Sequence, residues 1–239
     1  MLGDIYLQGS FSFGESLLFN NLSMTLKEGC WTCLLGPSGV GKSTLLRLIA
    51  GLSTGGEFNG SIRSQSGDDL DGQVAYMAQS DLLFPWLTVA NNVQLGSRLR
   101  GMAPDGNRAR KLIDKVALGD HIDKFPRQLS GGMRQRVALA RTLMEDHGLV
   151  LLDEPFSALD ARTRAEMQEQ AFDALFGKTV MLVTHDPAEA ARMAHHIYLF
   201  TRDGLEKYDP PGNNPIRSLN DEHYLAYQAR LLEHLRSLP

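Results

Sequence analysis

The stretch that decides the fold is Gly36-Pro37-Ser38-Gly39-Val40-Gly41-Lys42-Ser43, followed by Thr44. It fits the pattern of a phosphate-binding loop, in which a glycine, four further residues and Gly-Lys precede a hydroxyl. Its glycines let the backbone curl until successive N–H groups point inward, where they hold a polyphosphate together with the N-terminus of the next helix. Lys42 brings a positive charge to the phosphates, and the Ser43 hydroxyl is a suitable ligand for Mg²⁺.

The residues on both sides of this loop support the same interpretation. Trp31–Leu35 is typical of a buried strand that enters the loop, and Ser43–Ala50 is typical of a helix that leaves it and stops at Gly51. A chance glycine-rich turn is the alternative, but it does not explain a strand, a loop and a helix in this order. The order predicts an α/β fold with the loop at the carboxyl end of a strand.

The composition excludes several classes of protein. The chain has 239 residues, 43% of them hydrophobic, which is enough for a sizeable core. The formal net charge of −4 and a pI of about 6.0 provide no basic field for nucleic acid. No apolar run reaches the ~18 residues that a membrane span needs, and the first residues do not resemble a secretory signal. We therefore expect a soluble, cytoplasmic protein.

Two acidic residues follow a second buried strand. Leu149–Leu152 are four consecutive apolar residues, typical of a central strand buried on both faces, and Asp153 and Glu154 come next. In a sheet that carries a phosphate loop, the first acid is placed to hold Mg²⁺ and the second to act as a general base toward water. Two surface acids at a strand end are the alternative, and the presence of Lys42 and Ser43 argues against it.

Polar side chains also follow two other predicted strands. Gln79 comes just after the strand at Gln73–Met77, where it is placed to reach a metal or its water, although a glutamine at a strand end is ordinary. His185 follows the buried strand Thr179–Thr184, and that position favours a phosphate contact over a structural role. Both residues are therefore candidates for the site of the phosphate loop.

Three features leave two interpretations open. Ser130-Gly131-Gly132 precedes a helix over Arg134–Leu143, either as an anion-binding N-terminus or as a plain N-cap with glycines. Phe13, upstream of the loop, is either a stacking partner for an adenine ring or a core residue. Trp86, in the apolar segment Leu82–Trp86, lies either in the core or in an exposed interface.

The two cysteines, Cys30 and Cys33, form a C-x-x-C pair. Thiol redox chemistry is one interpretation of this spacing. Residues three apart on a strand point to opposite faces, however, and the pair comes at the strand before the phosphate loop. The sequence therefore predicts buried structural thiols.

Together these pieces resemble an ATP-binding-cassette (ABC) ATPase, and the resemblance covers nearly the whole chain. A phosphate loop alone suggests any P-loop NTPase, whereas the added motifs are far more specific: Gln79, Leu129–Gly132, Leu149–Glu154, Ser157–Asp160 and His185. The family implies a RecA-like α/β core with a mainly parallel sheet, an antiparallel β subdomain and a helical subdomain. The implied domains are a core at 1–83 and 148–208, a helical subdomain at 84–147, and a C-terminal loop and helix at 209–239, the helix being predicted over Asp221–Leu238.

The resemblance also implies a role for each matching residue. The residues that would bind ATP are Phe13, Gly36, Ser38, Gly39, Gly41, Lys42, Ser43, Thr44, Gln79, Ser130, Gly132 and Asp160. The Mg²⁺ ligands would be Ser43, Gln79 and Asp153. Glu154 would be the catalytic base and His185 the switch histidine, with Lys42 acting on the phosphates. Ser130 and Gly132 would contact the γ-phosphate bound by the other subunit, and Asp160 would lie at that dimer interface.

ABC ATPases work with membrane partners. The resemblance implies a homodimer around two Mg-ATP, two transmembrane permease subunits, an indirect link to a periplasmic or extracellular solute-binding protein, and no nucleic acid. The chain would lie peripherally on the inner face of the cell membrane through its permease. Leu83–Val89 together with Gly131–Arg136 looks similar to importers of nitrate, sulfonates, taurine or thiamine precursors.

Two positions depart from the family pattern. Met133 stands where the signature commonly has glutamine, and Phe13 where tyrosine is common, but neither must touch phosphate.

An exporter subunit and a non-transport ABC ATPase are the alternatives within the family. A GTPase would need Asn-Lys-x-Asp, which the sequence lacks. A catalytically dead module would not need Lys42, Asp153, Glu154 and His185 together.

Overall fold

The computed structural model describes residues 2–68, 70–202 and 204–237. In chain order its strands are β1 (Ile5–Phe13), β2 (Ser16–Leu26), β3 (Trp31–Leu35), β4 (Glu57–Ser64), β5 (Val74–Met77), β6 (Leu149–Asp153), β7 (Thr179–Thr184), β8 (His196–Thr201) and β9 (Gly204–Tyr208). Its α-helices are α1 (Lys42–Ile49), α2 (Val89–Val93), α3 (Leu95–Leu99), α4 (Gly106–Lys115), α5 (Gly131–Met144), α6 (Ala161–Ala174), α7 (Pro187–Met193) and α8 (Glu222–Ser237). Short 3₁₀ helices span Gly119–His121 and Pro126–Gln128.

The chain divides into two compact units, and each is described by itself. The first unit comprises residues 1–74, 148–153 and 177–239, and the second comprises 75–147 and 154–176. The two units differ from the domains that the family resemblance implies. Those domain boundaries stay a prediction. None of the helices in the described part of the chain is long and apolar enough to cross a membrane.

The first unit contains an antiparallel sheet in the order β2-β1-β4. Along β1 the side chains alternate between buried and exposed from Ile5 onward, because successive residues of a strand face opposite sides of the sheet. Phe11 lies fully buried between the rings of Phe13 and Phe19. The antiparallel β part implied by the family is therefore present.

The first unit also contains a mainly parallel sheet, in which five strands follow the order β6-β7-β3-β8-β9. All residues of β3, β6 and β7 are buried, as expected for central strands with covered faces. Leu35 pairs with Thr184, and Asp153 pairs with Val183. The carboxyl ends of β3, β7 and β6 therefore meet at one edge of the sheet.

The second unit is mostly helical and is organised around α5. Residues 89–99 form two short helices, α2 and α3, separated at Gln94. Helix α4 carries several basic residues, of which Arg110 and Lys111 are exposed. Arg108 of the same helix is half-buried and donates hydrogen bonds to Asp146 and to the Leu143 carbonyl.

The cysteines behave as structural residues. Cys33 is buried in β3, Cys30 lies half-buried just before it, and both are free thiols. Burial raises the pKa of the Cys33 thiol well above its ordinary value, and burial also raises that of Cys30. A raised pKa suppresses the thiolate, which is the reactive form. Cys33 is therefore buried as predicted, whereas the prediction of a buried thiol is wrong for Cys30, which precedes the strand and is only half-buried.

Within the first unit, the buried Arg217 binds the C-terminal segment to the end of α7. The Arg217 guanidinium donates hydrogen bonds to the carbonyls of Ala191, Ala194 and Pro211 and to the Asn213 side chain. Ala191 lies in the last turn of α7 and Ala194 is its C-cap, where helical carbonyls lack partners within the helix. Arg217 therefore closes the end of α7 and holds the segment that leads to α8.

The last helix was predicted over Asp221–Leu238, and the structure has it at Glu222–Ser237, with Leu238 outside the described residues. Among its apolar residues, Tyr224 and Leu231 are buried, whereas Leu225 and Leu232 are exposed. The apolar surface of this helix is therefore covered in part.

Candidate nucleotide site

The phosphate loop connects β3 to α1 in the first unit. Gly39 and Gly41 have φ angles of 81° and 110°, which side-chain-bearing residues rarely adopt, so the loop needs glycine at both positions. The buried Lys42 ammonium donates hydrogen bonds to the carbonyls of Gly36 at 2.8 Å and Pro37 at 2.7 Å. The loop thus holds a cation at its centre, at the N-terminus of a helix.

Two further candidate residues lie at the same edge of the parallel sheet. Asp153 ends β6 with its side chain buried, and the exposed His185 directly follows β7. The turn after His185 is rigid, because the Thr184 hydroxyl accepts a hydrogen bond from Asp186 N and donates one to Glu189. The first unit therefore brings together the phosphate loop, a carboxylate and an imidazole at the carboxyl ends of three strands.

Phe13 ends β1 beside the tip of the β1–β2 hairpin. Its ring packs edge-on against Phe11, but 43% of the residue is exposed. Phe13 is therefore not a fully buried core residue. The hairpin approaches the phosphate loop, since a Cβ added at Gly41 would lie 2.9 Å from Leu18 Cδ2. An exposed aromatic ring on this hairpin is available for stacking.

Glu154 and Gln79 lie in the second unit. Glu154 is buried and adopts a left-handed backbone conformation with φ 49°, which is uncommon for any residue but glycine. The Gln79 amide donates a hydrogen bond of 3.3 Å to Glu154 Oε2. Two residues that are 75 positions apart are thus in direct contact, and a strained backbone places the carboxylate.

Gln135 is a residue that the sequence analysis missed. It lies on α5, is 5% exposed, and binds the loop that follows Glu154 through its side-chain amide. The spacing of residue 135 from the buried residues Ala138, Leu139 and Thr142 was the available signal. A glutamine on the apolar face of a helix must find hydrogen-bond partners inside the protein.

Two other predicted residues, Ser130 and Asp160, cap helices of the second unit, and a third, Gly132, lies in the first turn of α5. The Ser130 hydroxyl accepts a hydrogen bond from Met133 N, so Ser130 is the N-cap of α5. Asp160 is the exposed N-cap of α6 and accepts from Thr163 N, and that bond lowers the pKa of its carboxyl group. A Cβ added at Gly132 would lie 3.1 Å from the Ala158 carbonyl oxygen. Capping leaves the predicted anion-binding role of Ser130 open.

The residues present suit Mg²⁺. A hydroxyl at Ser43 and a carboxylate at Asp153 are hard oxygen donors, which this ion prefers. The described residues contain no group of three His, Cys, Asp or Glu side chains that could form a complete cage. That agrees with Mg²⁺ chemistry, because one or two protein oxygens normally hold this ion together with substrate phosphates.

The segment Leu82–Trp86 forms an exposed apolar patch on the second unit. Leu82 is 62% exposed and Trp86 is 68% exposed, so Trp86 does not lie in the core. The buried Asn92 fixes the segment, since its side chain accepts from Phe84 N and donates to the carbonyls of Phe84, Leu87 and Thr88. Arg141 donates to the carbonyls of Asp81 and Leu82. A rigid, exposed apolar patch of this kind is typical of an interaction surface.

Comparison with known proteins agrees with this arrangement. Residues 19–157 match the ABC transporter family. An ABC transporter ATP-binding protein of Haemophilus influenzae, itself without an assigned substrate, is 42% identical over 95% of this chain and 95% of its own. An aliphatic sulfonates import ATP-binding protein of Rhodococcus jostii is 39% identical, covering 93% of this chain and 89% of its own. A sulfate/thiosulfate import ATP-binding protein of Chromobacterium violaceum is 43% identical over 83% of this chain and 56% of its own.

The family match covers more than half of the chain, and the relatives match it over most of its length. This chain therefore belongs to the ABC transporter family, as an ATP-binding subunit whose hydrolysis of ATP is coupled to transport.

Proposed function

We propose that two copies of this chain bind two Mg-ATP between them and that hydrolysis drives the import of a small solute. The observation that carries this proposal is the edge of the parallel sheet in the first unit. Three neighbouring strands end there: the Lys42 loop follows β3, the buried Asp153 ends β6, and the exposed His185 follows β7. This arrangement provides the cation, the carboxylate and the imidazole that phosphoryl transfer to water requires.

Residues of the first unit bind the triphosphate in this proposal. Lys42 and the loop N–H groups neutralise the phosphate oxygens, and His185 donates a hydrogen bond to the γ-phosphate. Ser43 and Asp153 of this unit, together with Gln79 of the second unit, would hold Mg²⁺, which would supply charge neutralisation at the phosphates. The loop residues Gly36, Ser38, Gly39, Gly41 and Thr44 surround the phosphates, and catalysis depends mainly on electrostatic stabilisation.

Residues of the second unit complete the reaction. Glu154 accepts the proton of the attacking water, and its hydrogen bond from Gln79 supports the carboxylate in position. Ser130 and Gly132 at the start of α5 contact the γ-phosphate bound by the other copy, where a helix N-terminus favours an anion. Asp160 lies at the same dimer interface. Neither copy has a complete site alone, so hydrolysis follows dimer closure.

The rate at different protein concentrations tests this requirement for two copies. We expect the ATPase rate per chain to rise with protein concentration and to exceed the GTPase rate under the same conditions. The rise should require Mg²⁺ and should level off when the dimer forms, as followed by light scattering. A full rate per chain that does not depend on concentration would contradict the shared site.

The role of Phe13 leads to a second expectation. Truncating Phe13 to alanine should weaken ATP binding about 10-fold, because stacking of a base on an aromatic ring contributes roughly 1–3 kcal/mol. Phe13→Tyr should retain the affinity. Tyr6→Ala is the matched control, since Tyr6 is an exposed aromatic residue on the same strand. Titration calorimetry measures the affinities, and equal values for the two alanine variants would remove Phe13 from the site.

The proposed partners are permease subunits of the membrane, as the import names of the relatives suggest. We assign the Leu82–Trp86 patch to this contact, because it is apolar, exposed and held rigid by Asn92. The cargo would be of the nitrate, sulfonate, taurine or thiamine-precursor type. An exporter subunit is the alternative, since the permease determines the direction of transport.

Purification of the tagged chain from membranes tests the proposed partner. A permease should copurify with the wild-type chain and be lost from Trp86→Ala. Phe176→Ala is the control, because Phe176 is an even more exposed aromatic residue of the second unit. A solute-binding protein that stimulates the purified complex would establish import, and a complex that works without one would favour export.

A further inference from the structure

We propose that Gln135 is a positioning residue that holds the Glu154 loop in its active conformation and links it to the start of α5. This inference rests on the proposed role of Glu154 as the base. It adds a residue of α5 that acts through Glu154 rather than on the nucleotide. All of the residues involved belong to the second unit.

The Gln135 amide is fully engaged by the Glu154 loop. Its Nε2 donates hydrogen bonds to the Glu154 carbonyl at 2.8 Å and to Ser157 Oγ at 3.3 Å. Its Oε1 accepts from Ala158 N at 2.9 Å. One buried side chain thus binds the loop at both ends, and losing it would leave buried main-chain groups without these partners.

The bond to the Glu154 carbonyl is directed at the strained part of the backbone. Glu154 has φ 49°, and its carbonyl also accepts from Ser157 Oγ at 3.0 Å and from Ser157 N at 3.3 Å. Such a conformation costs of order 1–3 kcal/mol and persists only when the surroundings hold it. Gln135 and Ser157 supply that support, so they determine where the Glu154 carboxylate lies.

The same helix carries the residues proposed to contact the other copy's nucleotide. Ser130 caps α5, and Gly132 packs closely on the loop, because an added Cβ would lie 3.1 Å from the Ala158 carbonyl oxygen and 3.1 Å from Leu159 Cδ2. Gln135 follows one helical turn later. A shift of the start of α5 would therefore be transmitted to the loop of Glu154 through direct contacts.

Gln135→Met tests the proposal, since methionine has similar length but forms none of these bonds. We expect kcat for ATP to fall about 10-fold, because small displacements of a catalytic group cost one or two orders of magnitude. KM for ATP should stay within about 2-fold, as Gln135 does not touch the nucleotide. Gln94→Met is the matched control: Gln94 also lies in the second unit, and its side chain donates to the nearby Ala90 carbonyl of α2.

A double-mutant cycle separates positioning from general stability. If Gln135 acts through Glu154, then Glu154→Gln combined with Gln135→Met should retain the single-turnover rate of Glu154→Gln within about 2-fold. A further fall of about 10-fold in the double variant, or a change in KM alone, would overturn the proposal. Should Gln135→Met fail to fold, Ser157→Ala serves in the same cycle. It removes one bond to the same carbonyl from an exposed residue, and its smaller loss of kcat should likewise vanish in the Glu154→Gln background.

The outcomes also separate this inference from the proposed function. Wild-type turnover in Glu154→Gln would remove the base assignment and this proposal with it. An inactive Glu154→Gln beside a Gln135→Met variant that turns over like Gln94→Met would overturn the positioning role alone.

Discussion

Glu154→Gln is expected to bind ATP as the wild type does and to lower kcat by about 1000-fold, within the range that general bases contribute. Glutamine keeps the size of the side chain but does not accept the proton of the attacking water. The bond between Gln79 and position 154 can persist with an amide oxygen, so the second unit should keep its structure. The effect should therefore fall on chemistry and spare binding.

The ATP-bound state provides the measurement for this variant. Because ATP stays intact in Glu154→Gln, the closed dimer should accumulate, and light scattering should detect it at concentrations where the wild type is monomeric. Glu166→Gln is the control, since Glu166 is an exposed residue paired with Arg162 in the same unit. Turnover of Glu154→Gln at the wild-type rate would rule out Glu154 as the base.

Lys42→Ala is expected to weaken ATP binding about 100-fold, because loss of a buried, hydrogen-bonded charge costs roughly 2–5 kcal/mol. The Lys42 ammonium lies in the loop, bound to the carbonyls of Gly36 and Pro37, and we propose that its charge meets the phosphates there. Alanine removes that charge and the two bonds. Arg47→Ala is the control, since Arg47 is an exposed cation on the same helix.

Titration calorimetry measures the affinity, and thermal melting checks that the variant is folded. Unchanged affinity in a folded Lys42→Ala protein would contradict the phosphate contact. The two variants are complementary, because one should change kcat with binding preserved and the other should change the dissociation constant. Together they distinguish the catalytic from the binding part of the proposed site.

The phosphate loop and the central strands could be predicted from the sequence because strict local requirements determine them. β3 and β7 have the predicted bounds, since each is a short apolar run that ends at a turn. The loop needs glycine where its φ angles are positive, which is visible as a motif. The α/β class follows from these pieces in order.

Other features depend on tertiary contacts and were not predicted. α7 is only seven residues long, and β9 pairs with β8 in a hairpin whose pattern is weak. The buried Asn92 fixes the main chain on both sides of Trp86 through Phe84 and Leu87, a contact that the sequence does not show. Gln135 resembles any helical glutamine until its partners at Glu154 and Ala158 are known.

The site itself was predicted as motifs, and the structure supplies local geometry within each unit. Lys42, Asp153 and His185 follow neighbouring strands of the first unit, and Gln79 contacts Glu154 in the second. The roles of these residues in one shared site stay predictions, since they depend on the nucleotide and on a second copy. The proposed experiments address both.

The hydrogen bonds of Arg217 have a practical consequence for the design of shortened forms of this protein. A fragment that stops at Tyr208 would retain the whole phosphate loop, both acids and His185. It would nevertheless lose Arg217, which donates hydrogen bonds to the Ala191 and Ala194 carbonyls and so caps the end of α7. This helix starts two residues after His185. Low activity in such a fragment would therefore reflect a loosened scaffold, so affinity tags and fusions are better attached beyond the final helix than in place of it.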